Sequence, residues 1–138
     1  FHQTSENFAQ DSKVIEIVGE GLVPLIEQGE LNSPELKELL QKYLNPMIEG
    51  NIDYLVLGCT HYPYLIPLLQ KMLPEQVTII DSGEAVAKQT KSLLEANHLL
   101  QRTPTAPKLN FFTNADPATL KLLLEEYGEK VTIRTMDF

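Results

Sequence analysis

The feature that most constrains the fold of this chain is an alternation of strand-type and helix-type segments. Residues 53–57 (DYLVL) and 77–81 (VTIID) are short apolar runs, which are typical of buried strands in a parallel sheet. Segments with helical length and spacing follow them, at 64–73 and 84–100. This order predicts an α/β fold with a parallel sheet and right-handed crossovers.

Before this unit, residues 12–18 (SKVIEIV) are predicted to form a buried strand, because β-branched residues crowd together ahead of a glycine turn. Asn32 or Ser33 can cap a helix that continues with leucines at helical spacing. We expect Pro46 to kink or interrupt that helix before Gly50 ends it.

After this unit, residues 101–107 carry two prolines without periodicity and are predicted to form a loop. A last strand, helix and strand are predicted at 109–114, 117–128 and 130–135.

Charge and cysteine content exclude several classes of protein. The 138 residues include 19 acidic and 11 basic ones, a formal net charge of −8, so a polyanion such as DNA is repelled and nucleic-acid binding is not expected. The single cysteine cannot form an internal disulfide, and no long apolar run or cleavable signal is present. We therefore expect a cytoplasmic protein that does not bind membranes.

That cysteine, Cys59, lies in VLGCTHYP, at the carboxyl end of a predicted strand and directly before a helix expected to begin near Pro63. Ligands of open parallel sheets bind at such ends, and a helix N-terminus stabilises a thiolate or a carboxylate. Gly58 leaves room for a ligand, Thr60 offers a hydroxyl, and His61 can exchange protons with the thiol. These residue types predict acid/base chemistry at one small site.

Structural roles are the alternatives for these residues. A lone cysteine often only fills space in a core, and His61 could instead cap the helix. His2, His61 and His98 lack the spacing of metal ligands, and the patterns CxxC and HxxxH are absent, so no metal is expected.

Glu27, in VPLIE, could orient or charge His61, or could be a solvated surface glutamate. Glu20, between two glycines, is interpreted as part of an exposed turn. Other polar residues follow strand ends, and helix capping is the ordinary interpretation for them: Asp81, Ser82, Asn114 and Asp116.

Together, LGCTHYP, the preceding VPLIE and the following IIDSGEAVA resemble the second half of bacterial glutamate racemases, in the aspartate/glutamate racemase superfamily. The resemblance implies a three-layer parallel-sheet α/β fold, here incomplete. Residues 1–82 would form most of the second domain, with the catalytic cysteine loop, and residues 83–138 would complete a first domain whose N-terminal part is absent. His61 favours the glutamate branch, because related aspartate racemases usually have glutamate there.

The resemblance also implies a function. Glutamate racemases interconvert L- and D-glutamate for peptidoglycan synthesis without a cofactor, and the full-length protein would form a homodimer. Two cysteines act on opposite faces of the substrate Cα. Cys59 matches the second cysteine, Thr60 a position that binds the substrate carboxylate, His61 the histidine that assists the cysteine and contacts substrate, and Glu27 the acidic residue that supports it.

The chain departs from this family in one large respect. The other cysteine, in a CNT-type motif, and the N-terminal DSG and PYG motifs have no counterpart, so the chain alone is expected to be inactive. Two other interpretations stay open. One is a one-cysteine superfamily member resembling arylmalonate decarboxylase, and the other is a truncated, non-catalytic binding module.

Overall fold

The predicted alternation of strands and helices is present in the structure. The computed structural model describes residues 12–101, 103, 106 and 108–137. In chain order its elements are α1 (Leu22–Glu27), α2 (Pro34–Glu49), β1 (Tyr54–Val56), α3 (Ile66–Met72), β2 (Thr78–Ile80), α4 (Gly83–Ala96), β3 (Leu109–Thr113), α5 (Pro117–Leu123) and β4 (Val131–Thr135). Two 3₁₀ helices, Tyr62–Leu65 and Glu125–Lys130, precede α3 and β4.

The strands pair in parallel, which confirms the sheet type predicted from the sequence. In the first sheet β1 pairs with β2, with Tyr54 opposite Thr78 and Val56 opposite Ile80. In the second sheet β3 pairs with β4, from Leu109 opposite Val131 onward. Each described sheet has two strands.

The first sheet packs on one face only. Leu55 and Leu57 are buried, whereas Tyr54 and Val56 on the opposite face are 56% and 52% exposed. The prediction of a buried strand therefore holds for only one face of β1. The physical reason is that leucines from α1, α2 and α3 cover a single face of this sheet in the described chain.

The core lies in the first part of the chain and consists almost entirely of leucine. Its buried members are Leu22, Leu25, Ile26, Leu36, Leu40, Leu44, Leu55, Leu57, Leu65, Leu69 and Leu73. Among the described residues after Leu73 none is buried, and α4 has no buried side chain. The packing that positions the cysteine loop thus comes from residues 22–73.

Helix α2 begins and ends through local hydrogen bonds. The Ser33 hydroxyl accepts a hydrogen bond from the Leu36 N–H at 3.2 Å, so Ser33 is the cap. The predicted interruption at Pro46 is wrong, because the helix continues to Glu49 and is capped by Gly50. Proline removes one backbone hydrogen bond, and side chains on both sides of Pro46 still pack on the core, which keeps this last turn helical.

Other segment boundaries also differ from the prediction. Residues 12–18 form no strand, because the described sheets provide them with no neighbouring strand. Helix α4 ends at Ala96 rather than at residue 100, because His98 takes a left-handed conformation (φ 56°) and the Leu99 N–H returns to the Leu94 carbonyl oxygen at 2.8 Å. Helix α5 ends at Leu123, and Gly128 (φ 55°) breaks the turn that follows.

The loop predicted at 101–107 is described only at residues 101, 103 and 106, which belong to neither helix nor strand. The other residues of this loop, and His2 near the start of the chain, lie outside the described residues.

Candidate active site

The cysteine loop leaves the first sheet at the carboxyl end of β1. The Leu57 N–H donates to the Ile80 carbonyl oxygen at 2.8 Å, so the strand ladder extends up to the residue before Gly58. The Cys59 carbonyl oxygen then accepts from the Tyr62 N–H at 3.1 Å, which starts the 3₁₀ helix that leads into α3. Buried Leu57 and Leu65 hold both ends of this loop in the core.

Three of the predicted site residues form a chain of polar contacts. The Cys59 sulfur lies 3.8 Å from Nδ1 of His61. Nε2 of the same ring lies 3.1 Å from Oε1 of Glu27, which is 34 residues away in the sequence. The structure therefore brings Cys59, His61 and Glu27 together in that order.

The partner of each ring nitrogen fixes where the proton lies. An ionised carboxylate only accepts hydrogen bonds, so Nε2 of His61 carries the proton shared with Glu27. Nδ1 then faces the Cys59 sulfur, as an acceptor when the ring is neutral and as a donor when the ring is charged. Such a ring can take a proton from the thiol and return it.

The contribution of the His61–Glu27 pair is orientation more than stability. The two side chains are 30% and 47% exposed, and exposed ion pairs stabilise a fold by only about 0–1 kcal/mol. Glu27 is the last residue of α1, a helix held by buried Leu22, Leu25 and Ile26. The carboxylate is thus carried by a packed element and holds the imidazole ring in one orientation.

The space beside Cys59 is open. A Cβ added at Gly58 would meet no atom within 4 Å, and Thr60 is exposed. Cys59 itself is a half-buried free thiol. A small ligand can therefore approach the sulfur from the Gly58 and Thr60 side.

The other polar residues at strand ends lie apart from this chain of contacts. Asp116 is the cap of α5 and accepts from the Ala118 N–H at 2.9 Å, which confirms the capping interpretation for it. Asp81 lies one residue before the N-cap position of α4 and accepts from the Gly83 N–H at 2.6 Å. The Ser82 side chain makes no capping bond, and Asn114 is exposed. Glu20 lies in an exposed turn, as expected.

Tyr62 is a neighbour of the site that the sequence analysis missed. Its hydroxyl donates to the Gly19 carbonyl oxygen at 3.3 Å. Burial raises the pKa of Tyr62, and the nearby Cys59 and Tyr43 raise it further. No local pattern signals this role, because the contact with Gly19 joins residues 43 positions apart.

Three other features of the described residues concern metal binding, a cavity and the membrane. No group of three or more His, Cys, Asp or Glu side chains there is arranged to hold a metal ion. A cavity of about 270 Å³ lies between α3 and β2 and is lined by Ile66, Gln70, Leu73, Pro74, Glu75, Val77 and Ile79, none of them a residue of the cysteine site. In the described part of the chain, no helix has both the length and the apolar character needed to cross a membrane.

In sequence and in fold, this chain is similar to glutamate racemases. No protein-family model matches the chain. A glutamate racemase of Pseudomonas putida (strain F1) is 50% identical over 119 residues, which are 86% of this chain and 44% of that enzyme. The chain thus spans less than half the length of the curated relatives it matches.

Solved structures similar to this chain are also glutamate racemases. A glutamate racemase isoform of Bacillus anthracis superimposes with a TM-score of 0.83 at 27% identity, over 99% of this chain and 52% of that one. The glutamate racemase of Francisella tularensis, solved with D-glutamate, superimposes with a TM-score of 0.77 at 26% identity, over 99% of this chain and 52% of that one. The predicted racemase-like α/β fold is confirmed, and it is present in part.

Proposed function

We propose that this chain, a homologue of the glutamate racemases, contributes Cys59 as one of two acid/base groups that interconvert L- and D-glutamate. The observation that carries the proposal is the series of contacts from Cys59 through His61 to Glu27 at the carboxyl end of β1. If Cys59 only filled space, it would not need the imidazole of His61 as a neighbouring proton acceptor or the Glu27 carboxylate that contacts the other side of that ring.

The chemistry requires proton transfer on both faces of the substrate. Removal of the Cα proton breaks the C–H bond and leaves its electron pair on Cα, delocalised into the adjacent carboxyl group. Inversion follows when a second group delivers a proton to the opposite face. Cys59 serves as the base for one enantiomer and as the acid for the other, and the second group comes from outside the described chain.

His61 and Glu27 support Cys59 in both directions. When Cys59 acts as a base, its thiolate is stabilised by the charged imidazole at 3.8 Å. Glu27 keeps the Nε2 proton in place and so keeps Nδ1 directed at the sulfur. Glu27 is a positioning residue in this scheme, since it acts through His61.

Glutamate is the proposed substrate because the Francisella tularensis homologue was solved with D-glutamate. We propose that Thr60 and the backbone around it bind a substrate carboxylate, with Cys59 and His61 lining the same space. Thiol and imidazole suffice for proton transfer, so the reaction needs no cofactor. A role in peptidoglycan synthesis, a cytoplasmic location and a homodimer of the complete protein are parts of the same proposal.

We also propose a division of the chain at residue 82. Residues 1–82 would form most of the domain that carries the cysteine loop, and residues 83–138 would belong to the other domain. The confinement of the buried core to residues 22–73 supports this division.

The single cysteine favours one rival, an enzyme of the same superfamily that delivers a proton to a planar intermediate from one face only. Such an enzyme would act on a substrate that loses another group, as in decarboxylation, and would not racemise glutamate. A binding module without catalysis would do neither.

A hybrid protein distinguishes these possibilities. In the hybrid, the part of this chain that aligns with the Pseudomonas putida enzyme replaces the matching 119-residue segment of that enzyme. Circular dichroism then measures the loss of optical activity of L-glutamate and of D-glutamate in separate reactions. We expect the hybrid to racemise both enantiomers and this chain alone to racemise neither.

Paired glutamate variants serve as controls in the hybrid. Glu27→Gln should lower kcat by about tenfold, the lower end of the loss seen when a group that orients a metal-ligating histidine is removed, because Glu27 orients His61 in the same way. Glu30→Gln, on an exposed neighbour, should leave kcat unchanged. A well-folded hybrid without racemase activity, or racemisation by this chain alone, would contradict the proposal.

A further inference from the structure

Two tyrosine hydroxyls hold the turn that precedes α1. Tyr62 donates to the Gly19 carbonyl oxygen at 3.3 Å, and Tyr43 donates to the Glu20 carbonyl oxygen at 2.8 Å. Tyr43 belongs to α2 and Tyr62 to the 3₁₀ helix after the cysteine loop. The turn is therefore tied to two separate elements.

The approach of Tyr62 to this turn is close. A Cβ at Gly19 would lie 2.5 Å from the Tyr62 hydroxyl oxygen and 2.7 Å from Cδ1 of Leu22. Real Cβ atoms do not approach other atoms this closely, so a side chain at residue 19 would require the end of the Tyr62 ring or the Leu22 methyl group to shift. A shift of the Tyr62 hydroxyl would lengthen its hydrogen bond to the Gly19 carbonyl oxygen.

Helix α1 connects this turn directly to the catalytic contacts. It starts at Leu22, after the turn, and ends at Glu27, whose carboxylate meets His61. His61 and Tyr62 are consecutive residues of one short loop. His61 contacts Glu27 at the C-terminal end of α1, and Tyr62 contacts Gly19 in the turn before its N-terminal end. Because α1 is short and its apolar side chains are buried, these two attachments fix the helix relative to the loop.

We propose that Tyr62 is a positioning residue of the Cys59 site: by holding the Gly19 carbonyl, it fixes the start of α1 and thereby keeps Glu27 against His61. The inference rests on the proposed function, since it assigns a role in orienting the acid/base group. The Tyr62 hydroxyl is protonated at neutral pH and so acts as a hydrogen-bond donor there, and burial raises its pKa further above the ordinary value of 10.0.

A double-mutant cycle on this chain tests the proposal without requiring racemase activity. The measured quantity is the rate of Cys59 alkylation by iodoacetamide from about pH 6 to about pH 9, since only the thiolate reacts. Glu27→Gln is introduced into the unmodified chain and into Tyr62→Phe. We expect Glu27→Gln to slow alkylation near neutral pH about three- to tenfold in the unmodified chain and by much less in Tyr62→Phe, because residues that act in one network are not additive.

Tyr54→Phe provides the matched control, because Tyr54 is an exposed tyrosine on the outer face of β1. The effect of Glu27→Gln should be the same in Tyr54→Phe as in the unmodified chain. Gly19→Ala places a methyl group against the Tyr62 hydroxyl and should change the effect of Glu27→Gln in the same direction as Tyr62→Phe, which provides a second variant if Tyr62→Phe fails to fold.

The outcomes separate the two proposals. Additive effects of Glu27→Gln and Tyr62→Phe would overturn the positioning role of Tyr62 and leave the role of Glu27 intact. No effect of Glu27→Gln in the unmodified chain would overturn both the positioning of Glu27 by Tyr62 and the support of Cys59 by Glu27.

Discussion

At the scale of single residues, the main result is that His61 links an otherwise isolated thiol to a carboxylate. The sequence suggested that Glu27 could orient His61, and it offered a solvated surface position as the alternative. Only the fold decides between them, because the contact at 3.1 Å joins residues 34 positions apart. Capping by Asp116, in contrast to the contact between Glu27 and His61, can be predicted from local sequence. Its accepting side chain and the donating Ala118 N–H are only two residues apart.

The two tyrosines of the 3₁₀ helix lead to a prediction about pH. Burial is the main cause that raises the pKa of both Tyr62 and Tyr64 above the ordinary value of 10.0. A raised pKa means that the folded state holds the proton more tightly than the unfolded state. This contribution to stability is fully present below about pH 10 and is lost as the pH rises through the higher folded-state pKa.

Urea unfolding between about pH 8 and about pH 11 measures this effect. The free energy of unfolding should fall above about pH 10, and the fall should be smaller in Tyr62→Phe. Tyr54→Phe should follow the unmodified chain. Equal slopes in Tyr62→Phe and the unmodified chain would mean that Tyr62 titrates alike in the folded and unfolded states.

At the scale of elements, local signals predicted the strands and helix starts better than the ends. Strands 53–57 and 77–81 were predicted within one or two residues, because short apolar runs flanked by turns are local signals. The end of α4 was missed, because His98 occupies a left-handed position that is normally given to glycine. The strand predicted at 12–18 was wrong, because strand formation depends on a pairing partner that a local pattern cannot supply.

The start of α2 gives a prediction at this scale. The sequence allowed Asn32 or Ser33 as the cap, and the structure assigns the capping bond to Ser33. Ser33→Ala should lower the free energy of unfolding by about 1 kcal/mol, because it leaves the Leu36 N–H without its side-chain acceptor. Asn32→Ala should change it by less than about 0.5 kcal/mol. Urea titrations of both variants check this, and equal losses would argue against the assignment.

At the scale of the whole molecule, packing and coverage lead to the same expectation. The outer face of the first sheet exposes Tyr54, Val56 and Ile80, and the described residues after Leu73 include no buried side chain. Parallel sheets in α/β proteins are ordinarily covered on both faces. The chain matches 44% of the Pseudomonas putida enzyme. We therefore expect the rest of that enzyme to cover this face in the hybrid.

The central claim, that Cys59 is one of two acid/base groups, is tested most directly by deuterium exchange in the hybrid. Each enantiomer of glutamate is incubated separately in D₂O with the hybrid or its Cys59→Ser variant, and mass spectrometry and chiral analysis follow deuterium at Cα and configuration. We predict that Cys59→Ser abolishes racemisation, because a hydroxyl is too weak an acid and base to replace the thiol. Deuterium should then enter only one enantiomer, without inversion. Normal racemisation of both enantiomers by Cys59→Ser would contradict the account.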